Sequence, residues 1–427
     1  MRKKEMDPIK AEKKKKRRKI RVIVDSILIL AFLAYLFVPA MTANRKIKNF
    51  ADYAQEIDSI VVPEVTITAL GEATHGNVEF QEMKLEVFKQ LVKQGYRAFA
   101  LEADYGDCAV INEWIQGEEG TLEEMTQMLS FRLYHTDQMA ELLSWMREYN
   151  LQASEEQKLR FYGFDLQGMK EEANYILTYC RENNIAEIEE YAEQLAVMDM
   201  PMDYFSQGQA AELLAIVDSV KVILENHGNE ASSQYRQALY MTEILADAIE
   251  MNSNSTTYSS KRDEFMAKNV SRIVEEEKNY GNTHIFICGH NGHVAKQGTS
   301  YKVMGEYLTE IYGENYFVIG TDYFKTECNM PKLDGERANH QFTSADPLAA
   351  QVKNLEADMV YLDFASIPAS EEKLYDTIHS KMYMGSLGEA YNPLMKILPY
   401  TNRINEVPSE FYDAMILVYE ATPTNPQ

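Results

Sequence analysis

Four short apolar runs in this chain end in the same way, on glycine, histidine and carboxylate residues. Residues 65–70 run into Gly71-Glu72-Ala73-Thr74-His75-Gly76, and residues 98–101 into Glu102-Ala103-Asp104. Residues 160–164 run into Asp165, and residues 284–288 into Gly289-His290-Asn291-Gly292-His293. Each run is short and rich in β-branched or aromatic residues, as strands buried on both faces are. Three more of the same kind occupy residues 316–320, 359–363 and 414–419. Helix-period segments, such as 79–94 and 305–312, lie between them. Buried strands alternating with helices predict an α/β fold with a central, mostly parallel sheet and covering helices. Ligands of such sheets bind at the carboxyl ends of the strands. Three of the eight histidines and several acids fall at that edge.

One interval breaks the rhythm. From about 170 to 280 the pattern is amphipathic and helical without a convincing strand, which predicts an insertion of three to five helices. Breaks are expected near Met200-Pro201, at 226–229 and at 251–260. No internal repeat is evident. The α/β body is expected over 44–422, with a frayed tail at 423–427.

The N-terminus is a different physical object. Residues 1–21 hold twelve Lys/Arg against three acids, a net of +9, so the other 406 residues carry −24 − 9 = −33. Residues 22–43 are apolar apart from Asp25, Ser26 and Thr42, close to the roughly 20 residues that cross a bilayer. A basic run followed by an apolar segment predicts a single-pass signal anchor, or a signal peptide cleaved near Ala40-Met41-Thr42-Ala43. Either way the basic residues stay cytoplasmic and the body lies outside the membrane or is secreted. A body at −33 is not expected to bind nucleic acid. Cys108, Cys180, Cys288 and Cys328 form no C-x-x-C pair, and Cys288 reads as a buried small hydrophobe.

The chain has no G-x-S-x-G elbow, no H-E-x-x-H and no phosphate-binding P-loop. Ser370 and Lys373 match S-x-x-K only by spacing, in what reads as a helix start. A histidine general base activating water, held by carboxylates, fits the residues at the sheet edge better than a Ser or Cys nucleophile. His290-x-x-His293, with acids nearby, is also a candidate metal half-site.

Five motifs occur in one order: Gly71-Glu-Ala-Thr-His-Gly76 with Glu79-Phe80; Leu101-Glu-Ala-Asp-Tyr-Gly106; Phe161-Tyr-Gly-Phe-Asp165 with Gln167-Gly168; Arg262-Asp263 with Met266 and Asn269; and Gly289-His-Asn-Gly-His293 with Met304-Gly305. Together they resemble the erythromycin esterase family, including its succinoglycan-biosynthesis-like members, over about residues 50–420. The resemblance implies an α/β fold with a large helical portion, a deep cleft, and hydrolysis of a cyclic ester by water without an acyl-enzyme. By position, His75 resembles the family's general base, and Glu72 and Glu102 the carboxylates that orient it. His290 and His293 resemble the paired histidines across the cleft, and Arg262 a cation for the tetrahedral intermediate or the product. Lys84 stands where the family usually has Arg, which keeps the charge without the bidentate fork. Asp104 and Asp165 are candidate substrate contacts, and Asp322 a weaker one.

The expected activity is therefore hydrolysis of an ester or lactone, without a cofactor. The substrate is a small molecule or a cell-surface ester. A macrolide fits poorly with a body outside the cytosol. The alternative is a metal-dependent hydrolase, peptide bonds among its candidate substrates, with Glu72, His75, Glu102 and His290 binding a divalent metal. A non-catalytic cell-surface binding protein is a third reading.

Overall fold

The computed structural model describes residues 8–199, 204–229 and 231–426. All seven expected strands form: β1 (Ile67–Glu72), β2 (Ala98–Asp104), β3 (Arg160–Asp165), β4 (Ile285–His290), β5 (Tyr316–Pro331), β7 (Met359–Asp363) and β10 (Ala414–Ala421). Three more were not expected: β6 (Arg337–Thr343), β8 (Met382–Gly385) and β9 (Arg403–Glu406). The main sheet has the order β3-β2-β4-β1-β5-β10-β7, with β6 paired to β5; β8 and β9 form a separate ribbon. Neighbours from β3 to β10 run parallel, whereas β7 and β6 are antiparallel to their partners. The expected α/β class is thus observed.

Strand residues alternate between two apolar layers. Ile285 and Ile287 point into one, Phe286 and Cys288 into the other, the period of two that a sheet covered on both faces requires. Helices Val78–Lys93 and Asp137–Asn150 contribute to one layer. The helices of the 170–280 interval cover the other: Lys170–Glu182, Gln207–Asn226, Ser233–Met251 and Tyr258–Lys278, with a short helix at Ala192–Ala196. No strand occurs in this interval among the described residues. The breaks at 226–229 and 251–260 separate helices, while Met200-Pro201 lies outside the described residues. Two of these helices start on serine caps, Ser206 with Gln209 in a reciprocal capping box, and Ser232.

Register brings the expected residues to one edge. Glu72 on β1 is opposite His290 on β4, and Asp104 on β2 is opposite Asp165 on β3. The β2–β3 register shifts between Leu101 and Asp104, an irregularity of the kind that re-aims side chains near a site. Glu102 sits inside it. Close packing at this edge requires glycine: a Cβ on Gly71 would lie 2.0 Å from Asn291 Oδ1, and one on Gly289 would lie 2.9 Å from Glu102 Oε2.

The N-terminal helix, Pro8–Ala43, is long and apolar enough to cross a membrane; most side chains of its apolar stretch are exposed, while Ala40 and Ala43 near its end pack on the body. The C-terminal tail is not frayed where it follows β10. Thr422 O accepts from Val78 N (3.0 Å), Thr424 N donates to Gly76 O (3.0 Å), and Thr424 is buried. All four cysteines are free and buried.

Asn291 accepts from Thr321 N (3.2 Å) and donates to Thr321 O (2.7 Å), clamping the end of β4 to β5. Gly71→Ala should push that clamp aside and destabilise the fold by about 1–3 kcal/mol, read by denaturant unfolding.

Candidate active site

His75 lies in the turn after β1, on a loop fastened from both sides. Gly76 O accepts from both Asn329 N and Thr424 N (3.0 Å each), and Gln81 Nε2 donates to His75 O (3.0 Å). The ring faces Glu72, with Nδ1 3.3 Å from Oε2. With Glu72 ionised, Nδ1 carries the proton and Nε2 keeps its lone pair. Among the described residues Nε2 has no protein partner, and the residue remains 7% exposed.

Glu72 is completely buried, and its other oxygen is 2.8 Å from Lys84 Nζ. Burial alone would raise this carboxyl, but the Lys84 ammonium and His75 outweigh it and hold it below the ordinary carboxylate range. Burial would likewise lower His75, but its hydrogen bond to Glu72 and the charges of Glu72 and Glu102 outweigh that and raise it. Lys84, expected at the substrate, is instead fully buried on Glu72, with a second bond to Gln81 Oε1 (2.8 Å). It lies in the middle of the buried stripe Phe80, Met83, Val87, Phe88 and Leu91, so it points into the protein rather than the cleft.

Glu102 is the second buried carboxylate. Oε1 accepts from Arg262 Nη2 (2.9 Å) and Oε2 from His290 N (2.6 Å). Burial opposes ionisation here, but the charges of His293 and Arg262 bring the group far below the usual carboxylate value. Arg262 reaches this point from the second turn of helix Tyr258–Lys278 and also grips Asp165 with two bonds (3.0 and 2.6 Å). Burial would lower Arg262, but the Asp165 and Glu102 charges outweigh it and raise it. Asp165, expected at the substrate, is thus fully buried and committed to Arg262. Asp104 is buried as well, accepting from Gly168 N (2.6 Å). Burial and the neighbouring Glu172 push its carboxyl well up. Neither aspartate lies open to a substrate.

The paired histidines differ from each other. His290 Nε2 is 3.0 Å from Leu387 O, and Gly292 N donates to its Nδ1 (3.1 Å). A carbonyl needs a donor and an N–H needs an acceptor, so the ring is fixed as the neutral Nε2–H tautomer. Burial, with the charges of His75 and His293, brings it down to about 4. His293 lies between two acids, Nδ1 2.8 Å from Asp263 Oδ1 and Nε2 3.4 Å from Glu102 Oε1, while Arg262 Nη1 approaches Nε2 at 3.2 Å. Burial lowers this ring, but Glu102 and Asp263 outweigh it and raise it. The His75 and His290 rings are 5.2 Å apart.

Asp263 was not anticipated as a functional residue, although its motif was. It follows Arg262 on the same helix turn and holds His293, Tyr301 Oη (3.1 Å) and Met304 N (2.8 Å). The four residues suggested as metal ligands do not converge on one point. Their donor atoms face Lys84, Arg262, one another and the backbone, and no group of three or more His, Cys, Asp or Glu among the described residues is arranged to hold a metal. Beside His290 and His293 lies a cavity of about 200 Å³, walled also by Tyr301, Ser386, Ile404 and Phe411.

Removing the cation from Glu72 leaves a buried carboxylate uncompensated. Lys84→Met should destabilise the protein by about 3–5 kcal/mol in urea unfolding. Adding Glu72→Gln should recover much of that loss.

The sequence profile of the erythromycin esterase family matches residues 91–421. An erythromycin esterase type II from Escherichia coli is 25% identical over 321 residues, 64% of this chain and 73% of that protein. Among solved structures, a Bacillus cereus protein superimposes with a TM-score of 0.76 at 20% identity, covering 91% of this chain and 99% of the other. A succinoglycan biosynthesis protein gives 0.70 at 21% identity, covering 89% and 98%. A mutant erythromycin esterase in its open conformation gives 0.59 at 17%, covering 84% and 92%. The fold is therefore shared with these proteins, and the profile match spans most of the sequence: the chain belongs to the erythromycin esterase family.

Proposed function

We propose that this chain is a hydrolase of esters or lactones in which His75 activates the attacking water. Family membership supports an ester-hydrolysing activity. The observation that favours His75 as the base is its free Nε2. Of the three histidines at the sheet edge, it alone has one ring nitrogen held by a carboxylate and the other without a protein partner among the described residues.

In this reading Glu72 accepts from Nδ1 and orients the ring. Nε2 takes a proton from water as the water oxygen bonds to the ester carbonyl carbon. The carbon–oxygen bond to the leaving group then breaks, and the proton on Nε2 passes to the departing alkoxide. His293 and Arg262, each partly exposed, supply positive charge near the developing oxyanion. His290, with both nitrogens engaged, positions the cleft rather than donating to the oxyanion. No step passes through a metal.

The cavity beside the histidines, about 200 Å³, is smaller than the roughly 300–1,000 Å³ of sites that enclose drug-sized ligands. A short-chain ester of a cell-surface or secreted molecule is the substrate class we propose. We also infer that the N-terminal helix anchors the protein, with its basic end in the cytoplasm and its body outside.

Purified full-length protein, assayed on a panel of short esters, should turn over equally with and without chelator. His75→Gln should lose about 10²–10⁴-fold in kcat with an unchanged Tm. Chelator-sensitive activity restored by added metal would overturn the mechanism. A base works deprotonated, and His75 is raised, so kcat/KM should climb with pH through an inflection above the ordinary histidine value of about 6.5. Glu72→Gln removes the anion that raises it and leaves burial to dominate, so the inflection should move to lower pH. For the topology, protease added to intact cells should remove the body; a fully protected body contradicts the orientation.

A further inference from the structure

The body carries a site against the anchor helix that the proposed ester chemistry does not use. A cavity of about 490 Å³ lies between the last turns of the N-terminal helix and the carboxyl-terminal parts of β5 and β10 with β6. Its helix side is Leu36, Phe37 and Ala40. Leu36, Pro39, Ala40 and Ala43 form the less exposed stripe of the last turns of this helix, where Phe37, Val38 and Met41 are open. Its body side includes Phe342, Met395, Lys396 and Arg403.

Charge sets this cavity apart. In a body with a net of −33, its wall carries Lys325, Lys396 and Arg403 against Glu327 and Glu420, and Glu420 is already paired with Lys325 at 2.5 Å. Among the described residues, Lys396 and Arg403 form no ion pair. Each cation has only a backbone oxygen as polar partner among these residues: Arg403 donates to Thr343 O (2.6 Å), and Lys396 donates to Gln341 O (2.5 Å) and lies over the Phe342 ring. Burial lowers both cations, the cost that an anionic ligand would relieve.

The same segment exposes large apolar side chains. Leu394, Ile397 and Tyr400 are 52%, 50% and 67% exposed on the two short turns Pro393–Lys396 and Pro399–Thr401. Exposed apolar residues with two cations close by, beside the end of a spanning helix, are what a membrane interface selects, with apolar side chains entering the acyl boundary and cations at the phosphate level.

We propose that residues 393–403 dip into the bilayer surface beside the anchor and that Lys396 and Arg403 hold the phosphate of an anionic glycerophospholipid in the cavity. This rests on the reading of the N-terminal helix as a membrane anchor. The lipid's acyl chains would lie along Leu36, Phe37 and Met395.

The test uses the full chain reconstituted in phosphatidylcholine vesicles containing phosphatidylglycerol. All four native cysteines are buried, so Leu394→Cys can carry a polarity-sensitive dye. Leu151→Cys, at an exposed position just before β3 on the opposite edge of the sheet, is the control. Dye at 394 should emit to the blue and be quenched several-fold more than at 151 by lipid spin-labelled near its headgroup. Spin-labelled phosphatidylglycerol should quench more strongly than phosphatidylcholine, and Lys396→Gln with Arg403→Gln should bring the two to near parity. A chain that fails to float with vesicles overturns the anchor reading and this proposal with it. A chain that floats while position 394 behaves like 151 overturns the proposal alone. Quenching at 394 that is blind to the headgroup overturns the phosphate site.

Discussion

Burying the Glu102 carboxylate commits much of the rest of the molecule. A charge removed from water must be met by a cation and by hydrogen bonds. None of the parallel strands beside it supplies the cation at this edge. Arg262 does so from the last helix of the 170–280 interval, and the His290 amide takes the other oxygen. The helical interval is therefore tied to the sheet by a charge requirement as well as by apolar packing. The second tie is at the opposite end of the same helix, where Glu277 accepts two bonds from Arg160 (2.6 and 2.8 Å) at the start of β3.

The site then has a definite charge balance. Four acids, Glu72, Glu102, Asp165 and Asp263, meet two basic side chains other than histidine, Lys84 and Arg262. The deficit of two falls on the histidines, and two of the three are raised accordingly. His290 is exempt because burial and the charges of His75 and His293 lower it, in keeping with the Gly292 N–H that its Nδ1 accepts. Three imidazoles within a few ångströms thus acquire different protonation behaviour from their partners, without any difference in residue type.

The strands and their polar ends were legible because buried parallel strands leave apolar runs, and the residues after them must lie at one edge. The strands that escaped notice carry no such run. β6 reads Arg-Ala-Asn-His-Gln-Phe-Thr and is mostly half-buried, with a single buried residue, while β8 and β9 have four residues each. β5 continues past Gly320 through polar residues because β6 and β10 cover it there. At the site, position was readable but direction was not. Asp165 and Asp104 lie at the expected edge yet point into it. Lys84 could have been recognised as internal, since it occupies a position of the apolar stripe of its helix where a solvent-facing cation does not belong. Asp263 required knowing that the helix turns its face towards His293, which spacing alone does not say. The C-terminal residues looked like an end; only the fold reveals that they pin the turn carrying His75.

Leu387 joins the two halves of the cleft through its main chain alone. Its N–H donates to Ala73 O (3.2 Å), in the turn before His75, and its carbonyl meets His290 Nε2. The preceding residue, Ser386, is bound to Asn402 O (3.0 Å), so the segment 388–401 leaves and returns at one fixed point. On the Leu387 side both bonds come from the main chain. Proline at 387 would lose the bond to Ala73, and the leucine side chain, fully buried in the core, holds the main chain where both bonds need it. A change in the excursion still reaches the base through charge, because Glu389 on it helps to raise His75 even while the main-chain bonds stay in place.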